Sequence, residues 1–485
     1  MTTWPFILLL GYILTAFLFP LMKDVKRAFQ VAIGLGIGMT LVAVFQLAHV
    51  VQSGAFTVVA GHFPAPWGIE LSIGGMEALV AILFTLASTL TLAHSMTTIS
   101  EEVKPGREKM FLSIVHLLMG SLLGIVFTAD IFNGFVFLEV STLAACGLIV
   151  VKDKPDCMKA AIKYLILSSL GSGLVLMGIA YLYAISGQLN MAFVHKALQL
   201  GDYPNMIRIS TVLFLTGLGL KAAMFPLHIW LPDAHTSAPG PSSAMLSGLV
   251  IKAPAILLIK VITDVYGLEA IADIELLPVA LLLGSAGMIL GSLFARSQQD
   301  VKRMIAYSSV AQMGYVFLAI GLGTETGLAI AVFHMLGHGF TKSALFLAAS
   351  SFIEQTGHRS VEAFKGMGKH LPITLIVFTI SGLSMVGIPI LPGFISKWQL
   401  ALATIEVGPI LLLGIILISS LLNATYYFPI IINGWFAEAD QEVTITRSRS
   451  TKELAPIVLL LVAVIAVGLF SGTLFQWIHI GLLPS

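Results

Sequence analysis

Charge is what this sequence has least of. Only 11% of its 485 residues are Asp, Glu, Lys or Arg, against roughly 25% in soluble domains. The formal net charge is +1, so no basic surface suggests a nucleic-acid partner. Two cysteines, Cys146 and Cys157, are too few for an iron–sulfur cluster, which takes about four thiolates. They read as packing residues. No long polar stretch is present, which leaves no room for an appended soluble domain. Redox-cofactor motifs are missing as well. "GLGLKAA" contains a G-x-G, but it lies in an apolar segment and follows no strand, so it is not a dinucleotide loop.

What remains is apolar. With 57% hydrophobic residues and a mean hydropathy of +0.96, the chain reads as an all-α polytopic membrane protein. Runs of about twenty apolar residues, each long enough to cross the hydrocarbon core, recur throughout. About fourteen are expected, at 5–22, 29–52, 73–96, 110–129, 131–150, 160–185, 208–226, 243–265, 276–296, 303–323, 327–351, 372–390, 408–433 and 455–477. The first run leads into a second, so no cleavable signal is expected.

The basic residues support this count. Eighteen Lys and Arg fall in odd-numbered connections: Lys23, Lys26, Arg27; Lys104, Arg107, Lys109; Lys152, Lys154, Lys159; Arg296, Lys302, Arg303; Arg359, Lys365, Lys369; Arg447, Arg449, Lys452. Even-numbered connections hold two, Lys196 and Arg208. That bias places the odd connections inside and both termini outside. The odd connection 227–242 has neither Lys nor Arg, and its run of prolines is too irregular for a plain loop.

Of the 26 Lys and Arg, six remain, all lysines within or beside spans: Lys163, Lys221, Lys252, Lys260, Lys342 and Lys397. Desolvated lysine can release its proton, whereas arginine effectively cannot. Lys163 and Lys260 lie near span ends and are expected to snorkel. Lys221, Lys252, Lys342 and Lys397 are candidates for groups that hold and release protons. Glu139, in "IFNGFVFLEVSTLAAC", is an intramembrane acid suited to pair with a lysine. Asp130 stands at the entrance of the same span, and Glu77 near the start of the third.

His334, His338 and Lys342, in "FHMLGHGFTKSALF", are spaced by four and share one helical face. Two His at that spacing can bind zinc, but no third ligand is near, and no metal or cofactor is expected. In an apolar helix such a face suits a proton wire. His228 and His235 follow Lys221 among Pro226, Pro232, Pro239 and Pro241. Pro389, Pro392 and Gly393 precede Lys397. Prolines free carbonyls, and irregular backbone at this depth lines a cavity or is buried in protein. Two interrupted helices suggest a repeat: spans 4–8 and 9–13, with the break in the fourth span of each, necessarily inverted.

As a joint set, "FTADIFNGFVFLE", "GLGLKAAMFPLHIWLPDAH", "SGLVIKAPAILLIK", "HMLGHGFTKSALFL" and "PGFISKW" resemble the antiporter-like subunits of Mrp-type multisubunit cation/proton antiporters, respiratory complex I and membrane-bound hydrogenases. The resemblance spans essentially the whole chain and is greatest to the Mrp D-type subunit. It implies a single membrane domain: three N-terminal helices over 1–100, five-helix repeats over 105–265 and 275–436, and a last helix over 454–485. It pairs Glu139 with Lys221 and makes Lys252 the central lysine. His334 and His338 connect beside Lys342, and Lys397 is the terminal lysine of the second half-channel. Other membrane subunits, the bilayer, protons and monovalent cations are the implied partners, in a prokaryotic cell membrane.

Lys397 argues against complex I relatives that carry Glu there, and the chain stops at Ser485 without a long lateral helix. The reading is an ion-translocating subunit of a Mrp-type antiporter. The alternatives are a pumping subunit of a redox-driven complex and a stand-alone transporter.

Overall fold

The structure is a computed structural model describing residues 3–201, 203–272, 277–407, 409–438 and 451–483. Arg447 and Arg449 lie outside these residues. The N-terminal part is α1 (Trp4–Ala16), α2 (Val25–Ser53), a hairpin of β1 (Phe56–Val59) and β2 (Glu70–Ile73), and α3 (Gly75–Glu102). The hairpin is antiparallel, with Phe56 opposite Ile73.

A first group follows: α4 (Glu108–Phe127), α5 (Ile131–Val150), α6 (Pro155–Ser186), the short α7 (Met191–Gln199), α8 (Pro204–Lys221), α9 (Leu231–Ser237), α10 (Gly240–Met245) and α11 (Lys252–Lys260). π turns at Leu246–Val250 and Val261–Tyr266 flank α11. After α12 (Leu268–Ala272), a second group comprises α13 (Leu277–Arg296), α14 (Val301–Gly321), α15 (Glu325–Thr356), α16 (Pro372–Val386), α17 (Pro392–Val407) and α18 (Leu411–Phe436). α19 (Thr451–Leu469) and α20 (Ser471–Ile478) close the described chain, bent by 76° at their junction.

Ten of these helices are long and apolar enough to cross a membrane, or eleven with the bent pair taken as one span. The other three expected spans fall on α8, α15 and α16. The expected limit at 390 stops short of the observed chain path. After the break at 387–391 the chain turns helical again as α17. Residues 227–242, expected to be more than a loop, hold α9 and the start of α10.

The two groups share a plan. The helix contacts run α4–α5–α6–α8–α11 and back to α4; they also run α13–α14–α15–α16–α18 and back to α13. α6 and α15 are each 32 residues long, and their boundaries differ by 170: 155 becomes 325 and 186 becomes 356. Both end at a left-handed glycine, Gly187 and Gly357, the conformation that only glycine adopts without cost. Asp130 caps α5 and bridges to Asn190; Asp300 caps α14 and bridges to Ser360. Such caps each stabilise a helix by about 1 kcal/mol.

The two helices of this plan point in opposite directions. α6 begins beside a charged rim where Lys104 and Arg107 bind Asp153 at 2.5 and 3.0 Å. It ends near Asn190, whose amide donates to Glu70 at 3.1 Å. α15 begins at that far end, where Glu325 meets His479, and finishes at the charged rim, where Arg359 binds Asp300 at 2.9 Å.

α14 and α15 are buried almost throughout. α13 and α14 meet backbone to backbone: a Cβ on Gly314 would lie 2.6 Å from the Met288 amide. Small residues at such crossings let helices associate without polar contacts. The outer faces of α1, α2, α6 and α18 carry exposed Leu, Ile and Phe, as lipid requires.

Candidate functional site

The first centre forms where α5, α6 and α8 converge. Lys221 is the last residue of α8, which ends in the proline-rich stretch after it. Its Nζ donates to Thr142 Oγ1 at 2.6 Å and lies 3.6 Å from Glu139 Oε1. Ser172, on α6, donates to that same carboxylate oxygen. The lysine side chain is 3% exposed and the glutamate 36%, so the pair is open on the glutamate side only. Trp230 fills the break below Lys221. Its indole N–H donates to the Leu220 carbonyl at 3.0 Å, and its ring stands edge-on to Tyr164 at 4.8 Å. The Tyr164 hydroxyl faces Ser168 and Thr142.

Lys252 is fully buried at the start of α11 and donates to the carbonyl of Ser247, within the preceding π turn. π turns displace backbone groups from the regular ladder and are frequent at functional positions. Beyond it lies the α15 face. The rings of His334 and His338 stack at 5.9 Å. His334 Nδ1 is 2.8 Å from Ser396 Oγ, and its ring stacks on Tyr315. Among the described residues neither ring nitrogen of His338 has a hydrogen-bond partner, yet the ring stands within electrostatic reach of Lys252, Lys342 and His334. Lys342 donates to the Ile305 carbonyl at 2.9 Å and to Ser308.

The row ends at Lys397. Its Nζ donates to the carbonyls of Met385 and Val386 at 2.7 and 3.0 Å, two of the acceptors left open where α16 stops. It also lies 4.9 Å over the Tyr315 ring. Gly387 has φ +102°, and a Cβ there would sit 3.3 Å from Lys397 Cδ, so glycine is needed for the lysine to reach those carbonyls.

The structure therefore brings Glu139 and Lys221 together, and gathers Lys252, His338, Lys342, His334 and Lys397 into one buried row. His235 joins this row from the side: it is fully buried, stacked on Phe346 at 5.0 Å, and faces Lys302, Lys342 and Lys252. His228 lies in the break, stacked on Phe225 at 5.2 Å. Asp130 is not part of the row. It caps α5 at the far end, accepting from the Asn133 amide at 2.7 Å.

Lys163 pairs with Asp233 at 2.7 Å at the charged rim. With Arg303 and Arg359 they line a cleft of about 420 Å³. Lys260 does not snorkel, contrary to expectation. Its Nζ is 3.4 Å from Glu77 in a pair that is 1% and 6% exposed, because the helix carrying it is covered on all sides.

Sequence reasoning missed Lys302, a buried lysine that donates to the Ala238 carbonyl at 2.7 Å. It also missed the hydroxyl partners Thr142, Ser172, Ser308 and Ser396. Buried serines in apolar helices commonly bond their own backbone, so no local pattern marks the ones that face a lysine. Among the described residues no group of three or more His, Cys, Asp or Glu is arranged to hold a metal ion.

A family profile described as "NADH:quinone oxidoreductase/Mrp antiporter, TM" matches residues 128–423. NADH-quinone oxidoreductase subunit N of Desulforudis audaxviator is 37% identical over 429 residues, covering 84% of this chain and 83% of that one. The D-type subunit of the Na(+)/H(+) antiporter of Alkalihalophilus pseudofirmus is 30% identical over 442 residues, covering 91% and 88%. A chain of the archaeal membrane-bound sulfane sulfur reductase superposes with a TM-score of 0.91 at 28% identity, over 99% of this chain and 97% of that one. A chain of the Mrp complex from Dietzia sp. DQ12-45-1b has the same fold, with a TM-score of 0.88 at 23% identity over 98% and 96%.

Proposed function

The chain belongs to the NADH:quinone oxidoreductase/Mrp antiporter transmembrane family, and on that footing we propose how its buried row translocates protons. It is an ion-translocating, antiporter-like subunit of a multisubunit membrane complex. A proton reaches Glu139 and Lys221 from the charged-rim cleft. It passes Lys252 to His338, Lys342 and His334, and leaves by Lys397. Pairing of Glu139 with Lys221 acts as the switch, since moving one partner changes the other's hold on its proton. One charge moved through 100 mV is worth about 2.3 kcal/mol, within reach of such pairing changes.

In this reading fourteen spans carry two inverted five-helix repeats, supported by the matched helix contacts, the 170-residue offset and the opposed directions of α6 and α15. The charged rim faces the cytoplasm and both termini face outside, supported by the bias of Lys and Arg. A prokaryotic cell membrane fits the bacterial relatives. The half-open side of Glu139 calls for a neighbouring subunit, because an acid facing lipid at mid-depth costs several kcal/mol.

The observation that carries the reading is the Glu139–Lys221 pair continued by the buried lysines and histidines. Glu139→Ala and Lys221→Ala are expected to abolish proton-coupled transport in inverted vesicles while the complex still purifies intact. Normal transport by either variant overturns the pairing.

The host complex reads first as a Mrp-type antiporter exchanging sodium or another monovalent cation for protons. The redox-driven alternative is favoured by the 37% identical NADH-quinone oxidoreductase relative and by the likeness to the sulfane sulfur reductase. Co-purification of flavin- or iron–sulfur-bearing subunits would decide for it.

A further inference from the structure

One ionisable cluster is not used by this path. At the end of the first group opposite the charged rim, Lys260 is buried between α3 and the second π turn. Its Nζ donates to the Val126 carbonyl at 3.0 Å and lies 3.4 Å from Glu77. Glu77 accepts from the Gly74 amide at 2.9 Å. Asp264 stands four residues after Lys260, within the π turn. It accepts from the Thr263 hydroxyl at 2.7 Å and faces Lys260, Glu77 and His195. His195, on α7, has Nδ1 3.1 Å from the Val265 carbonyl and Nε2 2.8 Å from Gln199 at the surface. Burial falls stepwise along this series: Lys260 is enclosed, Asp264 and His195 are half-buried, and Gln199 is exposed.

We propose that Lys260, Glu77, Asp264 and His195 form an outward-facing proton port of the first helix group, fed from Lys252. Lys252 and Lys260 lie on one helix, eight residues or about 12 Å apart, a gap that a short file of water bridges. An unpaired lysine at this depth would be costly, and a lysine between two carboxylates can lose its proton to one of them without a net charge appearing. Asp264 then passes the proton to His195, which exchanges with the surface. The row would thus open outward at two places, Lys397 and here, and each transport cycle uses both. The inference rests on the translocation reading above.

Buried pairs are often replaceable by apolar residues of similar volume without loss of stability. The test uses the whole complex in inverted vesicles. The double variant Lys260→Met, Glu77→Leu removes both charges together. Asp264→Asn keeps the shape at a half-buried position and decides the matter if the double variant does not assemble.

Assembled protein with transport reduced about tenfold or more in the double variant, and about fivefold in Asp264→Asn, is the expected result. Glu325→Gln, at the same end of the molecule but outside the cluster, should transport within about twofold of wild type. Near-wild-type transport by the assembled double variant, or by Asp264→Asn, overturns the port. Lys221→Ala is measured alongside. If it is inactive while these variants are active, only the port fails. If Lys221→Ala is active, the translocation reading itself fails.

Discussion

α6 and α15 occupy matched places in their groups, have the same length, and end at the same kind of glycine. Their buried faces differ in chemistry. At the 170-residue offset, His334, His338 and Lys342 of α15 stand where α6 has Tyr164, Ser168 and Ser172. In the first group the ionisable partner sits on the second helix, as Glu139, and the third helix answers with Ser172. In the second group the third helix carries Lys342 and the second answers with Ser308. One scaffold therefore holds an acid facing a hydroxyl in one half and a base facing a hydroxyl in the other. The scaffold fixes where polar groups can stand. The side chains decide which half contributes the acid that pairs with Lys221 and which continues the row.

Substitutions that exchange or erase this difference should act in graded fashion. The largest effect is expected from Lys342→Ala, which would remove the base that faces Ser308. Transport should fall at least about a hundredfold with the complex intact. Lys397→Arg comes next, because arginine keeps a charge but not an exchangeable proton; the expected loss is about tenfold or more. Lys163→Arg, at the wet rim, should stay within about twofold. Equal activities of these two variants would show Lys397 to be a fixed charge.

Ser309→Glu puts a carboxylate at the position matching Glu139, one residue from Ser308. It should slow transport several-fold by tying down Lys342, and unchanged rates would mean the halves do not share register. Tyr164→Phe removes only a hydroxyl from the α6 face and should cost about threefold or less.

The smallest effect belongs to the rim. The hydrogen bond from Lys104, with Arg107 alongside, holds the Asp153 carboxyl below the usual carboxylate range. That contact is therefore complete at neutral pH and is lost only as the pH falls through the lowered value. Asp153→Asn should leave transport at pH 7 within about twofold. Cysteine labelling of intact cells at Gly54→Cys but not at Lys154→Cys checks which end is outside; the reverse pattern would turn the molecule over.

The helices and the principal lysines were legible because apolar runs and isolated charges are local properties. Glu139 and Lys221 were legible for the same reason. Lys260 was misread because its distance from a span end suggested reach to water, while α3 and Glu77, far away in sequence, enclose it. Lys302 was assigned to a connection, yet it lies in the first turn of α14 beneath Ala238. Asp130 was legible only as an acid at the entrance of a span, and the amide three residues on makes it a cap. In each case the deciding partner is either a tertiary contact or a backbone amide, neither of which a composition pattern records.

The seat of Lys397 has a mechanical meaning. Where α16 stops, an ammonium bonds the carbonyls of Met385 and Val386, so a side chain fastens the end of one helical segment from within the next. If a proton passes through this lysine, the fastening loosens with each departure and tightens with each arrival. The broken helix is then a spring whose catch is the transported particle, and membrane voltage acting on that particle pulls directly on the backbone.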